Sequence, residues 1–391
     1  MARTPLGILD LVPISSGSNA TEALSNTIDL VRHAERAGYT RYWFAEHHLN
    51  PGLAGTSPAV VLALTAGATS RIRLGSGAVQ MGHRTALSTV EEFGLLDAVH
   101  PGRFDLGLGR SGGRPKALDG ELSAGGPGAA TSTLPTGEQA KVVDGRHPTG
   151  LVIPERFSFA RLLGSPRFTL QKGLLTLPNA TPQDYAEQVD DVLALIAGTY
   201  RSAEGEEAHV IPGEGADLTV WILGSSGGES AEVAGHRGLR FVANYHVSPA
   251  TVLEAVDAYR AAFQPSSEVT SPYVAVSADV VVAEDEDRAR ELATGYGLWV
   301  RSIRTAEGAI PFPTPEEARR HVWTDEERAL VQDRLDTQFV GTPAQVADRL
   351  EALRDATGAD ELIVTTITHD HADRVRSHTL LAQEWGRRGY L

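Results

Sequence analysis

Residues 39–79 read YTRYWFAEHHLNPGLAGTSPAVVLALTAGATSRIRLGSGAV, and this stretch decides the fold. A strand-like apolar run at 39–45 is followed by a helical run that Ser57 and Pro58 open, and a second strand-like run follows at 72–79. Proline suits the first helical position because its missing N–H would have no partner there. The order strand, helix, strand predicts two parallel strands joined by a helical crossover.

The same unit recurs along the whole chain. Helical patterns follow nearly all of the strand-like runs, and this alternation predicts a parallel sheet. Eight such units within 391 residues favour a closed (β/α)8 (TIM) barrel of the α/β class over an open, doubly wound sheet. We therefore predict a single domain over residues 1–391. The predicted strands are 6–12, 39–45, 72–79, 103–109, 219–224, 239–244, 272–283 and 360–368.

Two long irregular stretches interrupt the repeat. Residues 111–180 form a long insertion between the fourth and fifth strands, and the first part of this insertion is rich in Gly, Pro, Ser and Thr. Residues 304–340 form a second irregular stretch, after the seventh strand. Both should emerge above the carboxyl ends of the strands, where barrel enzymes carry their active sites. We therefore interpret both as candidate lids.

Composition narrows the function classes. The net charge of −15 makes nucleic acid an unexpected partner, because no broad basic surface would replace the counterions of a phosphate backbone. The lack of cysteine excludes disulfides, thiolate metal sites and cysteine nucleophiles. The N-terminus lacks a signal-peptide pattern, and no apolar run reaches about 18 residues. We expect a soluble, cytoplasmic protein that has no membrane partner.

Glu46, His47 and His48 follow the second strand, at the end of a barrel where polar residues are usually functional. A metal site that combines them with the distant HDH at 369–371 is one interpretation. Consecutive residues of a strand point to opposite faces, so His47 and His48 could share one ion only across a bend. We predict no metal, and we interpret one histidine as an acid–base residue and the other as its neighbour. The alternative is that both histidines are only structural polar residues at the end of a strand.

Two glycine-rich segments follow the fourth and fifth strands. In LGLGRSGG (106–113) the glycines match the dinucleotide pattern GxGxxG, but a loop follows instead of the required helix. The glycines there would let a ligand approach the backbone, and Arg110 would offer a forked cation to a phosphate, unless it is an ordinary surface arginine. In WILGSSGGESAEVAG (221–235) the Gly-Ser-Ser-Gly-Gly run before a helix would aim N–H groups and hydroxyls at a monophosphate. Capping of that helix by serine is the alternative.

Several segments resemble, in order along the chain, those of the bacterial luciferase-like flavin-dependent monooxygenases, and above all the luciferase-like flavoproteins of unassigned substrate. The resemblance covers residues 1–110 and 180–391. It implies a (β/α)8 barrel that binds reduced FMN or, as in sister families, the deazaflavin F420. The segments that carry it are RYWFAEHHLNPGLAG, RIRLGSGAV, EEFGLLDAVHPGRFDLGLGR, WILGSS and FVGTPAQVADRL.

The resemblance also implies roles for individual residues. His47 matches the catalytic histidine that handles protons on the flavin–oxygen adduct, with His48 as its catalytic partner and Glu46 as further support. Gly77 and Ala78 match a pair joined by a non-prolyl cis peptide beneath the flavin ring. The other cofactor-binding residues implied are Arg110, Ser226 and Ser230 on the phosphate, and Ser225, which stands where luciferase has a carboxylate.

The reaction implied by the resemblance is an oxygenation. Reduced FMN and O2 would form a C4a-peroxide in a dry pocket under a lid, and this peroxide would oxygenate a small organic substrate. Because the sequence shows no second nucleotide-binding domain, a separate flavin reductase would supply the reduced FMN. The family also implies a homodimer. An F420-dependent oxidoreductase and a non-catalytic flavin-binding protein remain the alternative functions.

Overall fold

The computed structural model describes residues 3–110, 142–181 and 183–391. Within these residues ten parallel strands form the sheet, and the predicted (β/α)8 barrel is confirmed. The strands are β1 (Leu6–Asp10), β2 (Arg41–Phe44), β3 (Arg73–Ser76), β4 (Val79–Gln80), β5 (Phe104–Gly109), β6 (Leu218–Gly224), β7 (Arg240–Asn244), β8 (Val274–Val282), β9 (Phe339–Gly341) and β10 (Glu361–Thr365).

The barrel closes because β10 pairs with β1 on one side and with β8 on the other. The prediction of one continuous strand at 72–79 is wrong. It is interrupted at Gly77 and Ala78, which are joined by the expected cis peptide bond, and β4 continues beyond them along β5. The sequence did not indicate β9, which pairs with the end of β8. The C-terminal ends of the barrel strands together form the mouth of the barrel.

Helices pack around the barrel strands and occupy parts of the two irregular stretches. Within the run 284–303 the helix is divided in two, because the chain bends at Thr294 and Gly295. A Cβ atom at Gly295 would lie 2.9 Å from the carbonyl oxygen of Pro313, so the lack of a side chain at Gly295 lets the chain pack closely against Pro313. The described helices are Ala20–Ala37, Pro58–Ala66, Ala86–Val99, Ala160–Leu163, Pro166–Leu175, Tyr185–Ala197, Glu229–His236, Val252–Ala262, Glu286–Ala293, Tyr296–Arg304, Pro315–Arg320, Asp325–Thr337, Pro343–Thr357 and His371–Arg387. None of these has the length and apolar character needed to span a membrane.

Side chains alternate along the strands between an outer and an inner apolar layer. Residues such as Leu74 and Phe104 face outward and join the large core beneath the helices. Trp43 and Trp221 face inward and meet edge to face, with ring centroids 5.2 Å apart. A Cβ atom at Gly75 would lie 2.8 Å from Trp43 Cδ1, so glycine makes room for that indole. At this level the barrel is therefore a packed core and not a channel.

Charged side chains close the N-terminal end of the barrel. Arg41 donates from Nε to Glu361 at 2.9 Å and from a terminal nitrogen to Asp105 at 2.7 Å. The Nε atom of Arg73 and the indole nitrogen of Trp43 also donate to the buried Asp105, both at 2.9 Å. Because this end is filled, a ligand can approach the interior from the mouth.

Asp10, fully buried at the end of β1, joins the two ends of the chain. Its carboxylate accepts hydrogen bonds from Arg374 at 2.7 Å, from Thr27 at 2.9 Å, from the backbone N–H of Val12 at 2.7 Å and from the hydroxyl of Tyr42 at 2.5 Å. Burial opposes ionisation of Asp10, but the nearby Arg374 charge and these bonds prevail and hold its pKa below the ordinary value. Since Arg374 lies on the last helix, the network ties that helix to the first strand.

Replacing Asp10 with Asn should lower the free energy of unfolding by about 3–5 kcal/mol, because it leaves the buried charge of Arg374 uncompensated. The matched control is Asp287→Asn. The Asp287 side chain is 97% exposed and pairs with Arg290 at the surface, so its loss should change stability little. Urea unfolding followed by circular dichroism measures both variants. Equal losses would contradict the structural role given to Asp10.

Candidate active site

His47 lies in the loop that follows β2, at the mouth. Its backbone N–H donates to the carbonyl of Gly55 at 2.8 Å, which fixes its position. The Nδ1 atom of the ring is buried and has no hydrogen-bond partner among the described residues. Burial, and to a smaller extent the charge of His48, lowers the pKa of His47 to about 4. The ring is therefore neutral at neutral pH, and its unsatisfied nitrogen can take a proton or a hydrogen bond.

Glu46 and His48 do not support His47 in the way expected. The Oε1 atom of the buried Glu46 lies 3.0 Å from Nε2 of His48 and 3.0 Å from Nε2 of His83, and Oε2 accepts from the backbone N–H of Gln80 at 2.9 Å. The Glu46 carboxylate thus bonds to both His48 and His83, and the two imidazole rings meet edge to face. His83, in the loop after β4, was missed in the sequence because nothing local marks it.

The cluster of Glu46, His48 and His83 holds three ligand-type atoms within 4.8 Å of one another, a spacing that suits a metal ion. The guanidinium of Arg84 approaches the same Glu46 oxygen at 3.4 Å and brings a positive charge to it. A divalent cation would compete with that charge for one oxygen. We therefore interpret the cluster as a hydrogen-bond network that joins two loops of the mouth.

The metal alternative considered from the sequence combined residues 46–48 with 369–371. The structure does not bring these two groups together. His369 Nε2 lies 3.0 Å from the carbonyl oxygen of Ser16, and His371 Nε2 lies 2.9 Å from a carboxylate oxygen of Asp29. Both contacts fix the start of the last helix.

A second histidine, His246, reaches the mouth from the opposite wall, since β7 lies four strands from β2 around the barrel. Its Nδ1 atom lies 2.6 Å from the hydroxyl oxygen of Ser277 on β8, and its backbone N–H donates to the Ser277 carbonyl at 3.2 Å. Burial lowers the pKa of His246 to about 4, although the charge of Asp279 opposes this shift; the charge of Arg334 acts in the same direction as burial. The sequence interpretation missed His246, although a polar residue just beyond a strand end is the signal that singled out His47.

The candidate lid at 304–340 is anchored to the barrel wall through Arg334. This side chain donates to Asp279 on β8 at 2.9 Å and to the hydroxyl of Tyr296 at 2.6 Å. Beside Asp279 on β10, the hydroxyl of Thr365 is buried and has no hydrogen-bond partner among the described residues. The charges of Arg334 and Asp279 compensate each other on this wall, where Thr365 Oγ1 and Arg334 Nε lack a hydrogen-bond partner among the described residues.

The predicted phosphate residues meet at the ends of the neighbouring strands β5 and β6. Arg110 follows β5, and one terminal nitrogen of its guanidinium donates to Glu229 at 3.1 Å. The N-cap of the helix Glu229–His236 is Gly228, which has no side chain to cap the first turn, so the interpretation of serine as the cap is wrong. The residues placed beside this helix start are Ser225, Ser226 and Ser230.

Gly107 has a different role from the one expected. A Cβ atom there would lie 2.1 Å from the carbonyl oxygen of Ser76 and 2.9 Å from a methyl carbon of Leu223. Packing between neighbouring strands therefore requires this glycine, and close approach of a ligand is not needed to explain it.

Both candidate lids touch the loop that carries His47. Arg167, on the helix Pro166–Leu175, donates to the side-chain oxygen of Asn50 at 3.1 Å, and the backbone N–H of Ala309 donates to the same oxygen at 2.9 Å. Asn50 also donates to the carbonyl of His48 at 2.9 Å. Residues 111–141, the start of the first candidate lid, lie outside the described residues.

The sequence of this chain is similar to those of known proteins. The model of the family described as luciferase-like monooxygenase matches residues 4–131 and 177–361. The Bacillus subtilis protein YvbT is 33% identical over 388 residues, which is 98% of each chain. A luciferase-like monooxygenase of Escherichia coli is 32% identical over 375 residues, which is 95% of this chain and 94% of that protein.

Solved structures show the same fold. The crystal structure of apo-MsnO8 has a TM-score of 0.75 at 27% identity and covers 98% of both chains. The oxygenating constituent of 3,6-diketocamphane monooxygenase from Pseudomonas putida, solved with FMN, has a TM-score of 0.62 at 17% identity over 98% of this chain and 99% of that one. The family match over most of the chain and the relatives of full length lead to one conclusion. This chain belongs to the luciferase-like monooxygenase family.

Proposed function

We propose that this chain is the oxygenating component of a two-component monooxygenase. It takes reduced FMN from a separate reductase and uses O2 to oxygenate a small organic substrate. The observation that carries the proposal is the buried Nδ1 atom of His47 at the mouth of the barrel, which has no hydrogen-bond partner in the part of the chain that the structure describes. The FMN bound by the 3,6-diketocamphane enzyme supports this choice of cofactor.

The residues present fit a flavin mononucleotide. Arg110, the serines beside it and the uncapped start of the helix Glu229–His236 offer a cation, hydroxyls and N–H groups, which suit a monophosphate. Gly77 and Ala78 would lie beneath the ring, as the family resemblance implies. When bound, reduced FMN supplies the electrons that activate O2.

His47 would do the proton chemistry. Because its ring is neutral and its backbone N–H is held by the Gly55 carbonyl, Nδ1 can hydrogen-bond the reacting substrate or take a proton from it without rearrangement of the loop. His246 would face the substrate from the other wall, where Ser277 sets the orientation of its ring. Two neutral rings suit a site from which water is excluded, because neither requires a hydration shell.

The proposed reaction also requires a covered site. The contacts of Arg167 and Ala309 with Asn50 would hold both candidate lids over the mouth and keep water away from the reaction.

We also propose a homodimer. Exposed apolar side chains line two neighbouring helices and form a face of the kind that subunits bury: Val60, Leu64, Leu87, Leu95 and Val99.

The function is tested with purified protein, enzymatically reduced FMN and O2. A panel of carbonyl, sulfonate and aromatic compounds is incubated with the protein, and products are measured by mass spectrometry. We expect at least one compound class to gain a single oxygen atom. Oxidation of none, with FMN still bound, would favour the non-catalytic flavin-binding alternative. Turnover with F420 in place of FMN would favour the F420-dependent oxidoreductase.

The variant His47→Gln should bind FMN as the wild type does but oxygenate the substrate roughly 10²–10⁴-fold more slowly, because it lacks the acid–base group. The matched control is His209→Gln, since His209 is exposed and pairs with Glu214 at the surface. Steady-state turnover and FMN titration measure the two effects separately. Unchanged turnover in His47→Gln would remove the role assigned to this residue.

The ring of His47 should stay neutral from pH 5.5 to pH 8, since burial lowers its pKa to about 4. An ordinary histidine has a pKa near about 6.5 and would gain its proton within that range. NMR of protein labelled with ¹³C at histidine Cε1 follows each ring, and the His47→Gln spectrum identifies the signal. A midpoint between pH 6 and pH 7 for this signal would show that the ring is not desolvated.

A further inference from the structure

Glu229 places a negative charge inside the proposed phosphate site. One of its carboxylate oxygens accepts a hydrogen bond from Arg110 at 3.1 Å, and the two side chains are 28% and 31% exposed. Glu229 is also the first residue of the helix Glu229–His236, where the partial positive charge of the helix start attracts an anion. The carboxylate therefore already contacts the group that a monophosphate would seek.

A second carboxylate lies at the same helix start. Glu254 accepts from the backbone N–H of Gly227 at 3.3 Å and also binds Arg156. The positive groups at the ends of β5 and β6 are thus partly satisfied by the chain itself. An incoming phosphate must replace Glu229 on Arg110 or share the guanidinium with it.

We propose that Glu229 is a built-in competitor of the FMN phosphate, which exchanges with it on Arg110 and thereby keeps the cofactor weakly bound. This proposal rests on the proposed function, in which the phosphate binds at Arg110. Weak binding suits a cofactor that arrives from a separate reductase and leaves after each turnover. The residue would therefore determine how the site discriminates between phosphorylated and unphosphorylated flavins.

Two opposing effects of Glu229 must be weighed. It repels the phosphate, and it also orients Arg110. A partly exposed ion pair such as this one contributes little, because water screens it and its side chains must be ordered. A carboxylate about 5 Å from a phosphate dianion, in largely aqueous surroundings, weakens binding by about tenfold. Repulsion should therefore prevail, and removal of the charge should tighten FMN binding.

The experiment titrates full-length protein with FMN and with riboflavin by isothermal calorimetry. Glu229→Gln keeps the shape of the side chain and removes its charge. FMN affinity should rise about tenfold in this variant, while riboflavin affinity stays unchanged. The matched control is Glu232→Gln, which removes an exposed charge from the same first helical turn and should change FMN affinity much less. Glu229→Ala provides a second variant, and circular dichroism checks the folding of each.

Each result decides the proposal. A selective gain for FMN in Glu229→Gln and Glu229→Ala supports it. A loss of FMN affinity would show that Glu229 mainly orients Arg110, and equal gains in Glu229→Gln and Glu232→Gln would indicate a general charge effect; both overturn it. If neither the wild type nor Glu229→Gln binds FMN more tightly than riboflavin, the phosphate site itself is overturned, and this proposal with it.

Discussion

Arg41 lies between Asp105 and Glu361 at the N-terminal end of the barrel, and the location of the candidate active site depends on this contact. Buried charges are tolerated only when opposite charges and hydrogen bonds compensate them, so the three side chains hold their strands β2, β5 and β10 in fixed positions. Trp43 and Trp221 fill the space above them. The only part of the described barrel interior left for a ligand is therefore the mouth.

The mouth divides into an uncharged region and a charged rim. His47 and His246 face each other from opposite walls, and burial keeps both rings neutral. Arg110 and Glu229 stand at the more exposed ends of β5 and β6. A cofactor with an uncharged ring and a charged tail matches this division, because the ring can leave water at little cost while the phosphate stays near solvent and a cation.

Much of the fold follows from local patterns. Each barrel strand was located from its apolar run, and the Thr342–Pro343 signal marks a helix start with a capping box. The errors occur where distant contacts override the local pattern. The run 72–79 was predicted as one strand but is divided at Gly77 and Ala78, and the run 284–303 bends where Gly295 meets Pro313. Neither partner contact is visible in the run itself.

The sequence by itself determined the barrel, the family and the strand ends at which functional groups stand, because apolar periodicity and short motifs are local properties. It placed His47 and Arg110 at the correct end of the barrel on this basis. Only the tertiary structure decided their surroundings: His83 beside Glu46, His246 opposite His47, and Glu229 on Arg110. These pairs come from different strand ends, and closure of the barrel brings them together. Their charge and hydrogen bonding depend on burial, and burial results from the packing of several segments and cannot be read from one of them.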